Sequence, residues 1–456
     1  MARHAYRSGL LAMACIFSGA AHSAVTAEEA KALGNTLTQF GAEAAGNKDG
    51  MIPAYGGEGL KAPGGWNSKD PGQRPDPFND KPLFSITAQN VGQYSERLSD
   101  GQKELFKKYP GYRMDVYPSH RTMFYPKYVL DNTVKNVSSC KEAGATLVGC
   151  YGGLPFPIPK TGTEVMWNHA MHFESYHIWI RQRSFVVPTS GAPVLVGDSE
   201  GIDQQEYYDP NNKQPNGPQV AYLKVRLDSI APARQNGEKL VLIDYVDQTR
   251  RVWQYIPGQR RVKLAPDLAY DTPSPYSGGS STMDDAKIFG GSLDRYDWKL
   301  TGKTETYIPY NTFNLTNQTA CTEEKILGTK NYPNPDCVRW ELHRTWVVKA
   351  TLKPAFRHIY KTRTFYWDED TYAGGFAENY DQSGKLYRIT WGAVYPFWVT
   401  EGGGVNNSFT FWLDLQTGIY STQASSALKG TGAAPTTQVM SATDYRAEAL
   451  GGSGVR

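Results

Sequence analysis

After the first two dozen residues, no apolar run approaches the roughly 20 residues that span a bilayer, so no transmembrane segment is expected in the body of the chain. Charge of one sign is missing too. Lys and Arg total 48 against 45 Asp and Glu, a formal net charge of +3, and the basic residues form no stripe. Nucleic-acid binding needs such a field and is not expected. Catalytic signatures are equally scarce. We read no G-x-S-x-G nucleophile elbow after a strand, no P-loop, no G-x-G-x-x-G opening a helix, and no H-E-x-x-H. Cysteine is sparse, with five residues and none in C-x₂-C spacing, which argues against structural zinc. The chain reads as non-enzymatic, with no cofactor and no metal.

What is present points to a β-rich protein. Gly (45) and Pro (28) are plentiful, which favours turns over long helices. The aromatics are mostly Tyr (29) and Trp (11), rings with a polar handle that suit clefts and half-wet surfaces. At 456 residues, one large domain with an extension, or two domains, is expected.

Residues 1–24 read as a signal peptide. Arg3 and Arg7 form a positive n-region, "GLLAMACIF" is a short apolar core, and "AHSA" offers small residues for cleavage near Ser23 or Ala24. Cys15 makes a poor lipidation site. The expectation is therefore an exported periplasmic protein, with a peripheral place at the outer membrane as a variant. Cleavage would leave Cys140, Cys150, Cys321 and Cys337. An even count in an oxidising compartment suggests two disulfides. Three pairings can be drawn. The local ones, Cys140–Cys150 and Cys321–Cys337, are favoured because each closes a loop rich in turn residues.

Residues 25–160 read as an irregular and helical extension packed on the body. Within it, 44–82 has Gly, Pro or Asp every few positions, yet carries Trp and Tyr, the composition of a strap over a surface. Residues 87–108 regain helical periodicity. In 163–187 the first half suits a helix and the second a strand. From about 219 the chain alternates through "QVAYLKVRLDSIAPA", "EKLVLIDYVD", "RRVWQYIP" and "RRVKLAP" with hairpin turns, an antiparallel meander. A Gly- and Ser-rich interruption at 266–298 contains "MDDAKIFGG", read as a short helix. The meander then resumes, with Tyr387 and Trp391 on one face and Phe411 and Leu413 on another. Residues 426–456 read as a loose tail.

"RRVWQYIPGQRRVKL" (250–264) is apolar on both faces, with Val252 and Ile256 on one and Trp253 and Tyr255 on the other. A sheet with one solvated face would not need this. A curved sheet around a cavity, or one covered by straps, would. Arg250, Arg251, Arg260 and Arg261 read as a solvated edge. In "HAMHFESYH", His169 and His172 share a helical face with Glu174 and His177 nearby, but core or surface packing outweighs a metal site. The adjacent acids of "MDDAK" (283–287) and "DEDTY" (368–372) read as solvated turns. "DPNNK" (209–213) reads as a plain turn rather than a calcium site.

The stretch "GNTLTQFGAEAAGNKDGMIPAYGGEG" (34–59) resembles the N-terminal signature of a family of secreted bacterial proteins. That family carries a domain-of-unknown-function label and is described as outer-membrane lipoprotein-sorting-like. More distantly, Trp253, Tyr255, Pro257, Arg260, Arg261 and Val262, followed by "GGSLDRYDWKLTG", resemble the LolA and LolB lipoprotein carriers. The resemblance implies an α+β, β-rich fold for 161–425: a curved antiparallel sheet, an incomplete LolA-like barrel, closed by helices and the long N-terminal extension. It implies an apolar cavity for a lipid or other lipophilic molecule. Trp253, Tyr255, Tyr360, Tyr387, Trp391, Phe411 and Leu413 are its expected lining. It also implies work beside an RND-type exporter and an outer-membrane barrel protein. The competing readings are a periplasmic hydrolase of an apolar ester or glycan, and an interaction protein of the outer membrane.

Overall fold

A computed structural model describes residues 25–266, 268, 270–401 and 403–452. The expected signal peptide lies outside the described residues. Two antiparallel meanders dominate. The first runs in sequence order through β5 (His177–Val187), β6 (Val194–Gln204), β7 (Ala221–Ala231), β8 (Lys239–Tyr245), β9 (Arg250–Ile256) and β10 (Arg261–Leu264). The second runs through β11 (Tyr296–Pro309), β12 (Trp340–Leu352), β13 (Thr362–Asp368), β14 (Gly375–Tyr380), β15 (Leu386–Pro396), β16 (Val405–Asp414) and β17 (Tyr420–Ser425). Pairing of β17 with β5 joins the meanders into one curved, unclosed sheet. The β-rich α+β reading holds.

The extension is woven into this sheet. Within it β1 (Phe84–Thr87) pairs with β2 (Arg113–Val116), and Val116 bridges Trp340 of β12. Short helices α1 (Ala27–Ala30), α2 (Asp100–Lys108) and α3 (Lys127–Ser139) precede the meanders. Capping boxes start α1 (Thr26 with Glu29) and α2 (Ser99 with Gln102), satisfying otherwise orphaned N–H groups. The hairpin of β3 (Lys141–Ala143) and β4 (Thr146–Val148) follows α3, and Cys140–Cys150 closes it. The second disulfide, Cys321–Cys337, brackets α5 (Glu323–Ile326). Segment 44–82 is a strap, as its composition predicts. Arg74 pairs with Glu401 at 2.8 Å, Trp66 meets Trp398 edge-on at 4.7 Å, and the Tyr55 hydroxyl donates to the Met123 carbonyl.

The ambiguous 163–187 segment is a helix followed by a strand. Helix α4 (Gly162–Ala170) is capped by Thr161 and Glu164 and packs across β11 and β12. The segment after 425 is not a loose tail. Its strand β18 (Gly432–Pro435) pairs with β5, and α6 (Ala447–Gly452) packs on β8, β9 and β10.

Helix α6 explains half of the two-faced strand. Trp253 and Tyr255 lie on the outer face of the sheet in a cluster with Val241, Ile243, Tyr445 and Leu450. Val252 lies on the opposite face with Ile178, Leu227 and Leu240. Both faces are apolar because both are covered. Of the four arginines, Arg251, Arg260 and Arg261 are exposed. Arg250 is not: it turns inward and grips Asp244 through two hydrogen bonds of 2.6 and 2.8 Å.

Candidate functional site

The second meander is filled. Trp340 meets Trp391 edge-on at 5.1 Å, Phe409 stacks on Phe411 at 5.4 Å, and Leu413 is buried in the same core. Trp367 stacks on His169 at 3.6 Å. Large rings at adjacent strand positions interdigitate and leave little space.

The first meander is lined by smaller aliphatic side chains and bounds a cavity of about 170 Å³. Its floor follows the two-residue period of strands: Ile180 of β5, Val225 and Leu227 of β7, and Leu240 and Leu242 of β8. Antiparallel register aligns Ile178, Asp203, Val225, Leu242 and Val252 in one row across five strands. The roof is the interruption between the meanders, through Tyr276, Met283, Lys287 and Phe289. Ala433 of β18 closes one side.

Buried charge fixes the roof. Thr282 and Asp285 form a capping box that starts a three-residue 3₁₀ turn. Asp284 accepts from Arg363 at 3.1 Å and lies 3.0 Å from the His358 ring. Asp285 accepts from Arg363 at 2.7 Å, from the Tyr360 hydroxyl at 2.7 Å and from Arg388 at 3.2 Å. Burial alone would raise the Asp284 carboxyl, but Arg363 and His358 outweigh it and hold the group well below the usual carboxylate range. These acids are therefore not solvated turns; they bolt the roof to the second meander. The next two residues, Lys287 and Ile288, have φ of +52° and +74°. A β-branched residue there is strained, and the turn aims Lys287 down into the cavity.

The cavity is polar at one end. Lys287 Nζ lies 2.8 Å from Glu174 Oε2 and 3.9 Å from Asp203 Oδ2. Burial would raise Glu174, but Lys287 and His172 bring its carboxyl down to about 2. Asp203 is pushed up to about 7, chiefly by burial, against the pull of Lys287 and with Glu174 adding to the rise. His169 is buried, with its two ring nitrogens each 2.7 Å from a carbonyl, those of Tyr372 and Phe289. Burial and the neighbouring His172 push it down to about 3, against the two carbonyls, which favour the protonated ring. Gln205 donates to the His172 carbonyl at 2.8 Å. Thus "HAMHFESYH" is core packing, as the bland reading has it, but His169 and His172 also line the cavity.

None of the seven aromatic and leucine positions expected to line a cavity lines this one. Trp253 and Tyr255 lie under α6 on the outer face. Tyr360 is an element of the Asp285 network, and Tyr387 sits beside it with ring centroids 6.0 Å apart. Trp391, Phe411 and Leu413 belong to the filled half. The lining comes instead from the alternating aliphatics of "VAYLKVRL" and "KLVLID", segments whose period identifies a buried face.

"DEDTY" is likewise buried. Arg121 holds both oxygens of Asp370, at 2.9 and 2.7 Å, and Lys303 holds Glu369 at 2.6 Å. His343 lies 3.1 Å from Glu341 and 3.3 Å from Asp368. Burial would lower the imidazolium, but the two acids raise it to about 9. His343, Asp368 and Asp370 stand close enough to share a cation, yet Arg121 already occupies Asp370 and His343 is itself a cation. Contrary to the sequence reading, one G-x-S-x-G does occur, at Gly197–Gly201. Ser199 lies inside β6, paired with Gln182 and Ser229, so it forms no elbow. Asp209 accepts from the Asn211 N–H, the plain turn expected.

Residues 85–450 match the family of proteins of unknown function DUF1329. The chain belongs to the DUF1329 family. A curated relative, an uncharacterized protein of Pseudomonas aeruginosa, is 38% identical over 395 residues, covering 84% of each chain. A solved DUF1329 structure from Desulfovibrio piger is 13% identical, with a TM-score of 0.42, and covers 63% of this chain and 97% of its own. A LolA superfamily protein of Nitrosomonas europaea is 11% identical, with a TM-score of 0.35, and covers 63% and 98%. The cavity of this DUF1329 protein lies wholly within the matched residues. Among the described residues, no helix is long and apolar enough to cross a membrane.

Proposed function

We propose that this DUF1329 protein is a non-enzymatic periplasmic carrier that shelters a lipid or other lipophilic molecule. One observation carries the reading: the cavity floored by Ile180, Val225, Leu227, Leu240 and Leu242, beneath a roof bolted down by buried charge. An apolar guest entering it leaves water at about 0.8 kcal/mol per buried CH₂. A few polar groups at one end would orient the guest, the usual division of labour in small-molecule sites. The two disulfides favour an oxidising compartment. An RND-type exporter and an outer-membrane barrel protein are the proposed neighbours, which would load and unload the guest.

The test is titration with N-phenyl-1-naphthylamine, whose fluorescence rises in apolar surroundings. The reading expects saturable binding at one site, lost in Leu240→Trp, which fills the floor. Binding untouched by that substitution would place the probe elsewhere and defeat the reading.

A further inference from the structure

Of the two carboxylates on the cavity wall, Asp244 is held by Arg250 and Asp203 is left in an unfavourable state. It lies one residue from the C-terminal end of β6, between Ile178 and Val225 in the aligned row, and is only 5% exposed. Among the described residues, nothing hydrogen-bonds its Oδ1. Its Oδ2 lies 3.9 Å from Lys287 Nζ, beyond hydrogen-bonding reach. A buried polar atom without a partner costs free energy and calls for a reason. The other charges of the wall are already matched. Lys287 has Glu174, Arg250 has Asp244, and Arg181 lies 3.5 Å from Asp198.

This pattern selects a head group. An anionic head would find every cation committed to a carboxylate. A cationic head at Asp203 would sit against Lys287, since both would crowd one carboxyl. A neutral group with a proton to donate meets neither objection. We propose that the cavity takes an apolar alcohol, a lipid whose uncharged hydroxyl donates its hydrogen bond to Asp203 Oδ1 while its hydrocarbon lies on the aliphatic floor. The proposal rests on the carrier reading and specifies its ligand. The unpaired acid is then completed by the guest, and the apolar row on either side of it becomes the binding surface for the chain or ring that follows the hydroxyl.

Calorimetric titration with four ligands of equal tail length tests this: octan-1-ol, 1-methoxyoctane, octanoate and octylammonium. Octan-1-ol should bind about tenfold more tightly than 1-methoxyoctane, which lacks only the donated proton. Octanoate and octylammonium should bind more weakly than the alcohol. In Asp203→Val the alcohol should lose its advantage while the ether binds no more weakly than before. Equal binding of alcohol and ether overturns the head-group assignment and leaves the carrier reading standing, as does preference for either charged ligand. Failure of all four to bind removes the carrier reading and this assignment with it. If the valine variant does not fold, the four-ligand comparison on the unmodified protein decides the point.

Discussion

Replacing Asp203 with valine should stabilise the protein, and the gain should grow with pH. The free carboxyl of an unfolded chain titrates near 3.8, whereas the folded protein pushes Asp203 up to about 7. The folded state therefore binds a proton more tightly than the unfolded state does, and stability falls as pH rises between the two values. Below 3.8 the group is neutral in both states and costs nothing on this account. At pH 5 about one pH unit of the window has been crossed, a cost of roughly 1–2 kcal/mol at 1.36 kcal/mol per unit. Above 7 the full difference of about 3 units applies, on the order of 4 kcal/mol. Valine suits the strand and matches the Ile178 and Val225 flanks, so it removes the charge without breaking the row. Lys287 keeps Glu174 as its partner at 2.8 Å. Because Glu174 titrates near 2, working at pH 5 and above leaves it ionised throughout. Urea denaturation of both proteins at pH 5 and pH 8 reads the difference directly. A gain of the same size at both pH values, or a loss that deepens at pH 8, would refute the reasoning.

Two further outcomes follow from the same physics. Cys321–Cys337 closes a loop of sequence separation 16, so replacing both cysteines with alanine should cost about 3 kcal/mol in a denaturant titration. His343 is raised to about 9 by Asp368 and Glu341 despite burial, so its contribution is complete below its unfolded value of 6.5. That contribution is lost as pH rises through 9, about 3 kcal/mol in all; His343→Gln should abolish this share of the alkaline slope between pH 6.5 and 9.

The architecture was largely legible in the sequence because strand periodicity survives in single segments. Alternation in "VAYLKVRL", "KLVLID" and "LYRITWGAVYP" marks strands, and the turns between them mark hairpins. Apolarity on both faces of 250–256 means that each face is covered: α6 covers one, and the core around Ile178, Leu227 and Leu240 covers the other. The lining was not legible, for a definite reason. Large rings draw the eye toward a ligand, but in this fold they fill space: Trp391 and Phe411 occupy the solid half, and the hollow lies where the side chains are smaller. The roof was hidden differently. "MDDAK" and "DEDTY" look solvated because their partners, Arg363, Arg388, Arg121 and Lys303, lie 66 to 249 positions away along the chain. Long-range charge pairing leaves no local signature. The tail reads as loose because its small polar composition conceals one paired strand and the few residues, Tyr445 and Leu450, that dock it.

The central claim is that the hollow beneath the 274–291 roof houses a guest. Organic extraction of protein purified from its native envelope, followed by mass spectrometry, tests it most directly. One lipophilic molecule per chain, absent from a Leu240→Trp preparation, is the predicted result; extracts of the two proteins that match each other would contradict it.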